Sequence, residues 1–446
     1  MNILSTVILT EGSSLYPKSV QKVKGSIASS EIIKHMSLIG RSNLMEKYAK
    51  RVEQMKASAK VVEYLFNNMT DPDTISFGGG SPAKEALPAD LILHIVNDVF
   101  ADEAKRTTAL AYGAPLGTAD LRQAVCSHLL NPKGIDCAPE NILIANGGME
   151  PINLVAQLYL NEGDIVLVED PTFVQSVEIY EMMQATCIPV ECDEYGMIIE
   201  NLEKKIQEYH PKLIYVIPTF QNPTGKTLPA DRRKAIAELA EKYDILVHED
   251  DPYKDIRYSG EDIPSIKAFD KSGNVILSSS FSKILSPGMR LGYIVAKKDI
   301  IANLYHIKTA TNSFTSTFSQ VVCAEFFNRG YYPEHHKRIC NLYRERRDVM
   351  MECLDKYFPE GTKHTYPDGG LFTWVELPDG FDTTELLEEA QKRNVAYLAG
   401  AGFFVGNTGK GKNCMRMSFG GNTPEKIRIG MKKLGELFCE IQNKPK

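Results

Sequence analysis

The 446-residue chain predicts an α/β fold: a mainly parallel sheet sandwiched by helices, joined to a smaller α+β domain. Three observations lead there. From Asn141 to Ala296, short apolar runs alternate with stretches of helical period, the pattern of parallel strands covered on both faces. The polar clusters of this region follow the apolar runs directly, at the carboxyl ends of the strands, where such sheets bind ligands. Beyond Ala302 the alternation stops, and a long charged helix leads into a strand–helix–strand pattern.

Composition narrows the function classes. Hydrophobic residues at 43% and charged residues at 24% are ordinary for a globular protein. A net charge of −6 and the lack of a Lys/Arg block argue against a nucleic-acid partner. Nine cysteines without a C-x-x-C pair suggest reduced thiols in a cytoplasmic protein, with neither a disulfide framework nor a zinc site. No run approaches the roughly 18 apolar residues of a membrane span.

Residues 1–41 read as a poorly ordered extension, rich in Ser, Lys and Gly. Residues 42–88 read as an N-terminal helix and arm belonging to the small domain, with apolar positions from Leu44 to Phe66 at helical spacing. The arm ends in Thr74-Ile75-Ser76-Phe77-Gly78-Gly79-Gly80-Ser81-Pro82, a strand breaking into three glycines; this fits a hinge as well as a backbone approached by a ligand. The large domain is placed at 89–325. It opens with a helix from Asp90 to about Ala104, followed by a loop at Ala111–Gly117 and a helix from Thr118.

Apolar runs at Ile142–Ala145, Asp164–Val168, Leu213–Ile217, Ile245–Val247, Val275–Leu277 and Leu291–Ala296 read as buried parallel strands. Helical patterns lie between many of them, at Pro151–Leu160, Val174–Met183, Leu202–Tyr209 and Pro229–Tyr243. The small domain, 326–446, takes most of a helix running from Ser319 to Tyr357, whose Arg344–Asp348 run reads as a solvated face. A strand near Phe372, a helix from Thr383 to Asn394 and a strand at Cys414–Phe419 complete it.

Four strand ends carry the chemistry. Asn146-Gly147-Gly148-Met149-Glu150 opens a helix, and unpaired N–H groups there suit an anion, although glycine is also common in ordinary turns. Pro218-Thr219-Phe220-Gln221-Asn222-Pro223-Thr224-Gly225 is a proline turn that holds Asn222 just past a buried strand. His248-Glu249-Asp250-Asp251 sets four ionisable groups in a row, costly if buried without partners and unremarkable if solvated. Ser278-Ser279-Ser280-Phe281-Ser282-Lys283 continues through Gly288 to Arg290, gathering hydroxyls, an amine and a guanidinium that suit a phosphate beside a reactive lysine. Taken alone, that stretch also fits a polar loop with an exposed lysine. A lysine for a Schiff base, a carboxylate for a pyridinium nitrogen and a phosphate cup together describe pyridoxal 5′-phosphate.

From Ser42 to Leu437 the chain resembles the fold-type I pyridoxal-phosphate aminotransferases of class I/II. Within them it is most similar to the branch holding 2-aminoadipate, kynurenine and broad amino-acid aminotransferases. The motifs are F-G-G-G-S-P, Y-G-x-x-x-G, N-P-T-G, E-D-D-P-Y, S-F-S-K-x-x-x-P-G-x-R-x-G-Y and R-M-S-F, all in the family's order.

The resemblance implies transfer of an amino group from an L-amino acid to a 2-oxo acid such as 2-oxoglutarate by a ping-pong cycle. A β-lyase or a decarboxylase on the same scaffold is the alternative. Lys283 would form the Schiff base and move the substrate proton, and Asp250 would keep the cofactor's ring nitrogen protonated. Tyr253 and Asn222 would hydrogen-bond its phenolic oxygen, and Phe173 would stack on its ring. Backbone N–H groups of Gly148 and Met149, with Ser280, Ser282 and Arg290, would bind its phosphate. Tyr112 would reach the phosphate of a neighbouring subunit, implying a homodimer with shared sites. Arg416 would hold the substrate carboxylate, helped by the Gly80 backbone. No metal is expected; His335-His336 lacks a carboxylate at ligand spacing.

The chain departs from the family in three places. Gly148-Met149-Glu150 stands for Ser-Gln-Gln, Ala86-Leu87-Pro88 stands for Leu-Phe-Pro, and Lys60 or Val61 stands where relatives carry an arginine for acidic substrates.

Overall fold

The structure, a computed structural model, describes residue 51 and residues 73–406 and 408–443. The expected extension and, apart from Arg51, the first helix lie outside the described residues. Two units divide the chain, Met1–Val52 and Glu53–Lys446, and every element below belongs to the second.

Nine strands come first in the chain: β1 (Ile75–Ser76), β2 (Ile142–Ala145), β3 (Ile165–Asp170), β4 (Thr186–Asp193), β5 (Gly196–Met197), β6 (Leu213–Val216), β7 (Leu246–Asp250), β8 (Val275–Ser280) and β9 (Gly292–Val295). All but β1 form one sheet in the order β2-β9-β8-β7-β6-β3-β4-β5. In it β8, β7, β6, β3 and β4 run parallel side by side. Successive side chains take opposite faces. Leu213, Tyr215 and Ile276 pack in the same cluster as helices Met149–Tyr159, Val174–Met182 and Lys298–Thr311. Ile214, Val216 and Val275 face the cluster of helices Ile199–Tyr209 and Ala230–Tyr243. Burial on both faces is why these strands read as unbroken apolar runs.

Two expectations for this sheet are corrected. Strand β9 is antiparallel to both neighbours. The connection from β8 is residues 281–291, with one short turn of helix at Pro287–Met289, and a parallel crossover needs more chain. The start of β9 therefore shares an edge with the carboxyl ends of the parallel strands, and Gly292 pairs with Ser280. Strand β4 was not expected, because Pro189 and a half-exposed burial pattern hide it.

The remaining strands are β10 (Lys363–His364), β11 (Phe372–Glu376), β12 (Val395–Ala396), β13 (Leu398–Ala399) and β14 (Cys414–Ser418). An antiparallel sheet runs β10-β11-β14-β13, and β1 pairs with β12. Val375, Met415 and Met417 share a core with Ile427 and Leu434 of helix Pro424–Gln442.

The expected helix from Ser319 is two helices, Thr317–Asn328 and Tyr332–Tyr357, broken at Gly330, whose φ of +73° suits glycine after a helix end. The helix expected at Thr383–Asn394 shortens to Leu387–Lys392. The charge run is solvated only in part: Arg344, Glu345 and Asp348 are exposed, but Arg346 and Arg347 are buried. Arg346 donates to Gly420 O at 2.6 Å and to Glu85 at 3.0 Å, and Arg347 donates to Pro367 O at 2.6 Å. Two arginines thus clamp the long helix to neighbouring loops.

Candidate active site

The His248–Asp251 run, at the end of β7, is buried throughout, so each group needs a partner. Asp250 accepts hydrogen bonds from Tyr215 OH at 2.9 Å and from Ser278 Oγ at 3.1 Å. His248 Nε2 lies 2.8 Å from the same Ser278 Oγ. Burial raises the Asp250 pKa to about 6, against the pull of the two donors. The carboxylate is held in place from behind and lines a cavity of about 190 Å³ in front.

The other walls of that cavity come from the remaining strand ends: Gly148 and Met149 after β2, Phe173 after β3, Asn222 after β6, Tyr253 after β7, and Ser280, Ser282, Lys283 and Arg290 around β8 and β9. At one end, Gly148 caps helix Met149–Tyr159 with no side-chain cap bond, leaving the helix's first N–H groups for a ligand. Ser280 Oγ lies 2.9 Å from Ser282 Oγ and accepts from Ser282 N–H at 3.1 Å. Arg290, in the left-handed region at φ +51°, donates to Asn146 O at 3.3 Å. Gly147 makes this approach possible, since a Cβ there would sit 2.4 Å from Arg290 Nη2.

Lys283 Nζ donates to Gly80 O at 2.8 Å. Burial, with Arg416 and Arg290 nearby, lowers its pKa to about 8, so roughly a tenth of the amine is neutral at pH 7, far more than for an ordinary lysine.

Lys283 also lines a second cavity of about 300 Å³, which shares Phe173, Gln175, Asn222 and Tyr253 with the first. Arg416, on β14, closes it. Its Nη1 donates to Asn222 Oδ1 at 2.8 Å, its Nη2 donates to Gly78 O, and its Nε is buried with no acceptor. The guanidinium lies 4.3 Å from the Phe372 ring and 5.3 Å from that of Phe403. Desolvation lowers its pKa to about 10, so it stays cationic at neutral pH.

The sequence model of the family described as "Aminotransferase class I and II" matches residues 75–434. The chain belongs to that family. Aromatic-amino-acid aminotransferase 1 of Thermococcus litoralis is 38% identical over 405 residues, covering 90% of this chain and 96% of the relative. The 2-aminoadipate transaminase of Thermus thermophilus is 30% identical, covering 85% and 94%. The crystal structure of Pyrococcus horikoshii kynurenine aminotransferase in complex with PMP superposes with a TM-score of 0.84 at 38% identity, covering 90% of this chain and 99% of that one. This aminotransferase uses pyridoxal phosphate.

The residues present fit that cofactor. A desolvated amine faces a carboxylate across one cavity, and the far end offers hydroxyls, a guanidinium and helix N–H groups around a turn that only glycine allows. Of the expected site residues, only Tyr112 is not brought to either cavity; it is 93% exposed and packs against Phe314. Gly80 lines the second cavity and engages Lys283 through its carbonyl. Gln175, Phe372, Leu398 and Phe403 line that cavity without having been expected; Tyr215 and Ser278 line neither cavity but hold Asp250 from behind. Phe372 and Tyr215 sit inside apolar strand runs, where they look like core.

His335 and His336 hydrogen-bond the carbonyls of Ile284 at 2.9 Å and Asp255 at 2.5 Å, and no metal-binding cluster occurs among the described residues.

Proposed function

We propose that this aminotransferase runs a ping-pong cycle between an L-amino acid with an apolar or aromatic side chain and a 2-oxo acid, 2-oxoglutarate being the expected acceptor. The observation that carries this is the position of Lys283, whose amine borders both the cofactor cavity and the cavity closed by Arg416. Pyridoxal phosphate, when bound, supplies a carbonyl that condenses with amines and a ring that takes up the electrons released at the substrate Cα.

The chain's residues do the rest. Lys283 Nζ, whose lowered pKa makes its proton easier to lose than that of an ordinary lysine, is the base that takes the Cα proton. Asp250 holds the ring nitrogen protonated, and the Tyr215 and Ser278 hydroxyls keep its carboxylate ionised and aimed. Asn222 and Tyr253, which line the same cavity, would hydrogen-bond the phenolic oxygen, and Phe173 would pack against the ring. Gly148, Met149, Ser280, Ser282 and Arg290 bind the phosphate. Arg416 takes the substrate carboxylate, supported by the backbone at Gly80.

Among the described residues, the wall beyond Arg416 is Pro82, Val174, Pro287, Phe372, Leu398 and Phe403, with Gln175 and Ser81 as neutral polar groups. Such a wall favours apolar and aromatic side chains, in keeping with the names of the aromatic and kynurenine relatives. Tyr112 and Leu110, 93% and 67% exposed, lie on the face assigned to a second copy, in a homodimer that completes each site. The same reading puts the enzyme in the cytoplasm. Among the described residues, no helix is long and apolar enough to cross a membrane.

The test is a half reaction. Holoenzyme is mixed with a panel of amino acids and no oxo acid, while the visible absorption band and released products are followed. One equivalent of oxo acid per site, with loss of the visible band, supports transamination and identifies the donors. Accumulating ammonia or carbon dioxide with the band retained refutes it in favour of elimination or decarboxylation.

A further inference from the structure

The turn Asn146-Gly147-Gly148, read above as one wall of the phosphate site, is followed at once by a carboxylate. Glu150 lies in the first turn of helix Met149–Tyr159. A carboxylate this close to a phosphate dianion is repulsive, yet the side chain turns back into the loop. Its Oε2 accepts from Asn146 N–H at 2.5 Å, and its Oε1 accepts from the Asn312 side-chain amide. Arg290 holds the same Asn146 residue through its carbonyl at 3.3 Å. The residue that begins the turn is therefore fixed on both sides, by Glu150 and by Arg290.

A carboxylate at a helix start needs nothing more, because backbone N–H groups and the helix dipole already satisfy it. Here it has more. Lys308, from helix Lys298–Thr311, places Nζ 2.9 Å from Glu150 Oε2 and 3.2 Å from Asn312 Oδ1. The Lys308 side chain is 0% exposed and that of Glu150 is 9% exposed. Burying a lysine is costly, and a surface pair would have fixed the loop as well. A compensating cation beneath the turn also cancels negative charge that an anion held by the loop would meet.

We propose that Glu150 and Lys308 are a positioning pair for the cofactor's phosphate: Glu150 holds the Gly147–Gly148 turn open, and Lys308 cancels the charge that would otherwise repel the phosphate. The inference rests on the reading of this turn as the phosphate site. It also gives Gly148-Met149-Glu150 a physical meaning, since the side-chain donors that relatives carry there are replaced by a braced backbone.

The test compares two probes, pyridoxal 5′-phosphate and phosphate-free pyridoxal, titrated by absorbance into the full chain resolved of its cofactor. Lys308→Met leaves the Glu150 charge uncompensated. It is expected to weaken pyridoxal 5′-phosphate binding by roughly tenfold or more, with pyridoxal changed less than about twofold. Adding Glu150→Gln to Lys308→Met removes the charge and should restore the phosphate preference to within about threefold of wild type.

Equal losses for the two probes, or a double variant no better than Lys308→Met, would overturn the proposal in favour of simple packing. If Lys308→Met does not fold, Glu150→Gln alone decides. The variant should keep or raise the preference for the phosphorylated probe, and a lowered preference overturns the pair. A wild-type chain that does not distinguish the probes at all overturns the phosphate reading of the turn as well, so the two failures are separable.

Discussion

Replacing Arg416 by lysine keeps a cation in place and removes the fork. In the structure the guanidinium is set by two of its own hydrogen bonds, to Asn222 Oδ1 at 2.8 Å and to Gly78 O, and by the Phe372 and Phe403 rings at 4.3 and 5.3 Å. A lysine ammonium can neither meet a carboxylate with two parallel bonds nor stack between rings. Losing one charge-assisted bond costs about 1.5–3 kcal/mol. Losing the ring contact adds about 0.5–1 kcal/mol. Together these amount to about 2–4 kcal/mol, a fall in kcat/KM of roughly 30- to 1,000-fold.

The assay is the half reaction with the best donor, read as oxo acid released, on Arg416→Lys protein that retains the visible cofactor band and the wild-type melting temperature. The same amine without its carboxylate serves as control, and it should react slowly and equally with both proteins. An Arg416→Lys enzyme within about threefold of wild type, or a loss just as large on the control amine, would refute the assignment of Arg416 as the carboxylate anchor.

Lys283→Ala should lose at least about 100-fold in rate, and borohydride treatment of the holoenzyme should add the cofactor's mass to a Lys283 peptide in wild type only. Gly147→Ala forces a side chain into φ +74° and against Arg290, so its affinity for pyridoxal 5′-phosphate, measured by absorbance titration, should fall by about tenfold or more. Burial raises the pKa of Asp251 to about 7 and of Glu169 to about 8. Between pH 6.5 and 8 the folded chain therefore holds protons that the unfolded chain has released, and these two groups lower stability as pH rises. The urea midpoint of cofactor-free protein should drop across that window, and Glu169→Gln should flatten the slope; an unchanged slope would count against the assignment.

The sequence made the sheet legible because its central strands are buried on both faces and begin with unbroken apolar runs, their polar residues coming only toward the carboxyl ends. Direction was another matter. The run at Leu291–Ala296 looks like its neighbours, and only the short connection after Ser280 shows that it must turn back. Arg346 and Arg347 read as solvated because the carbonyls that receive them belong to Gly420 and Pro367, distant in sequence. In the site, most of the expected residues lie in strand-end clusters of polar groups and glycine, whereas Arg416, inside β14, and Tyr112, in a loop between helices, were expected from the family resemblance alone. Phe372, Leu398 and Phe403 gave no such sign, since an aromatic wall and a hydrophobic core use the same side chains. Nor could the sequence show Lys308 beneath Glu150, a pairing across 158 positions that needs two helices already side by side.

The proposed substrate anchor is completed by partners far apart along the chain. Arg416 meets Gly78 across 338 positions and Asn222 across 194, while Lys283 meets Gly80 across 203. During synthesis, Lys283 and the residues proposed for the phosphate are therefore made well before the proposed anchor. A chain ending short of β14 would carry Lys283 and the apolar wall but lack the guanidinium proposed to take the substrate carboxylate. In chain order, the proposed carboxylate anchor is thus the last part of the site to be made.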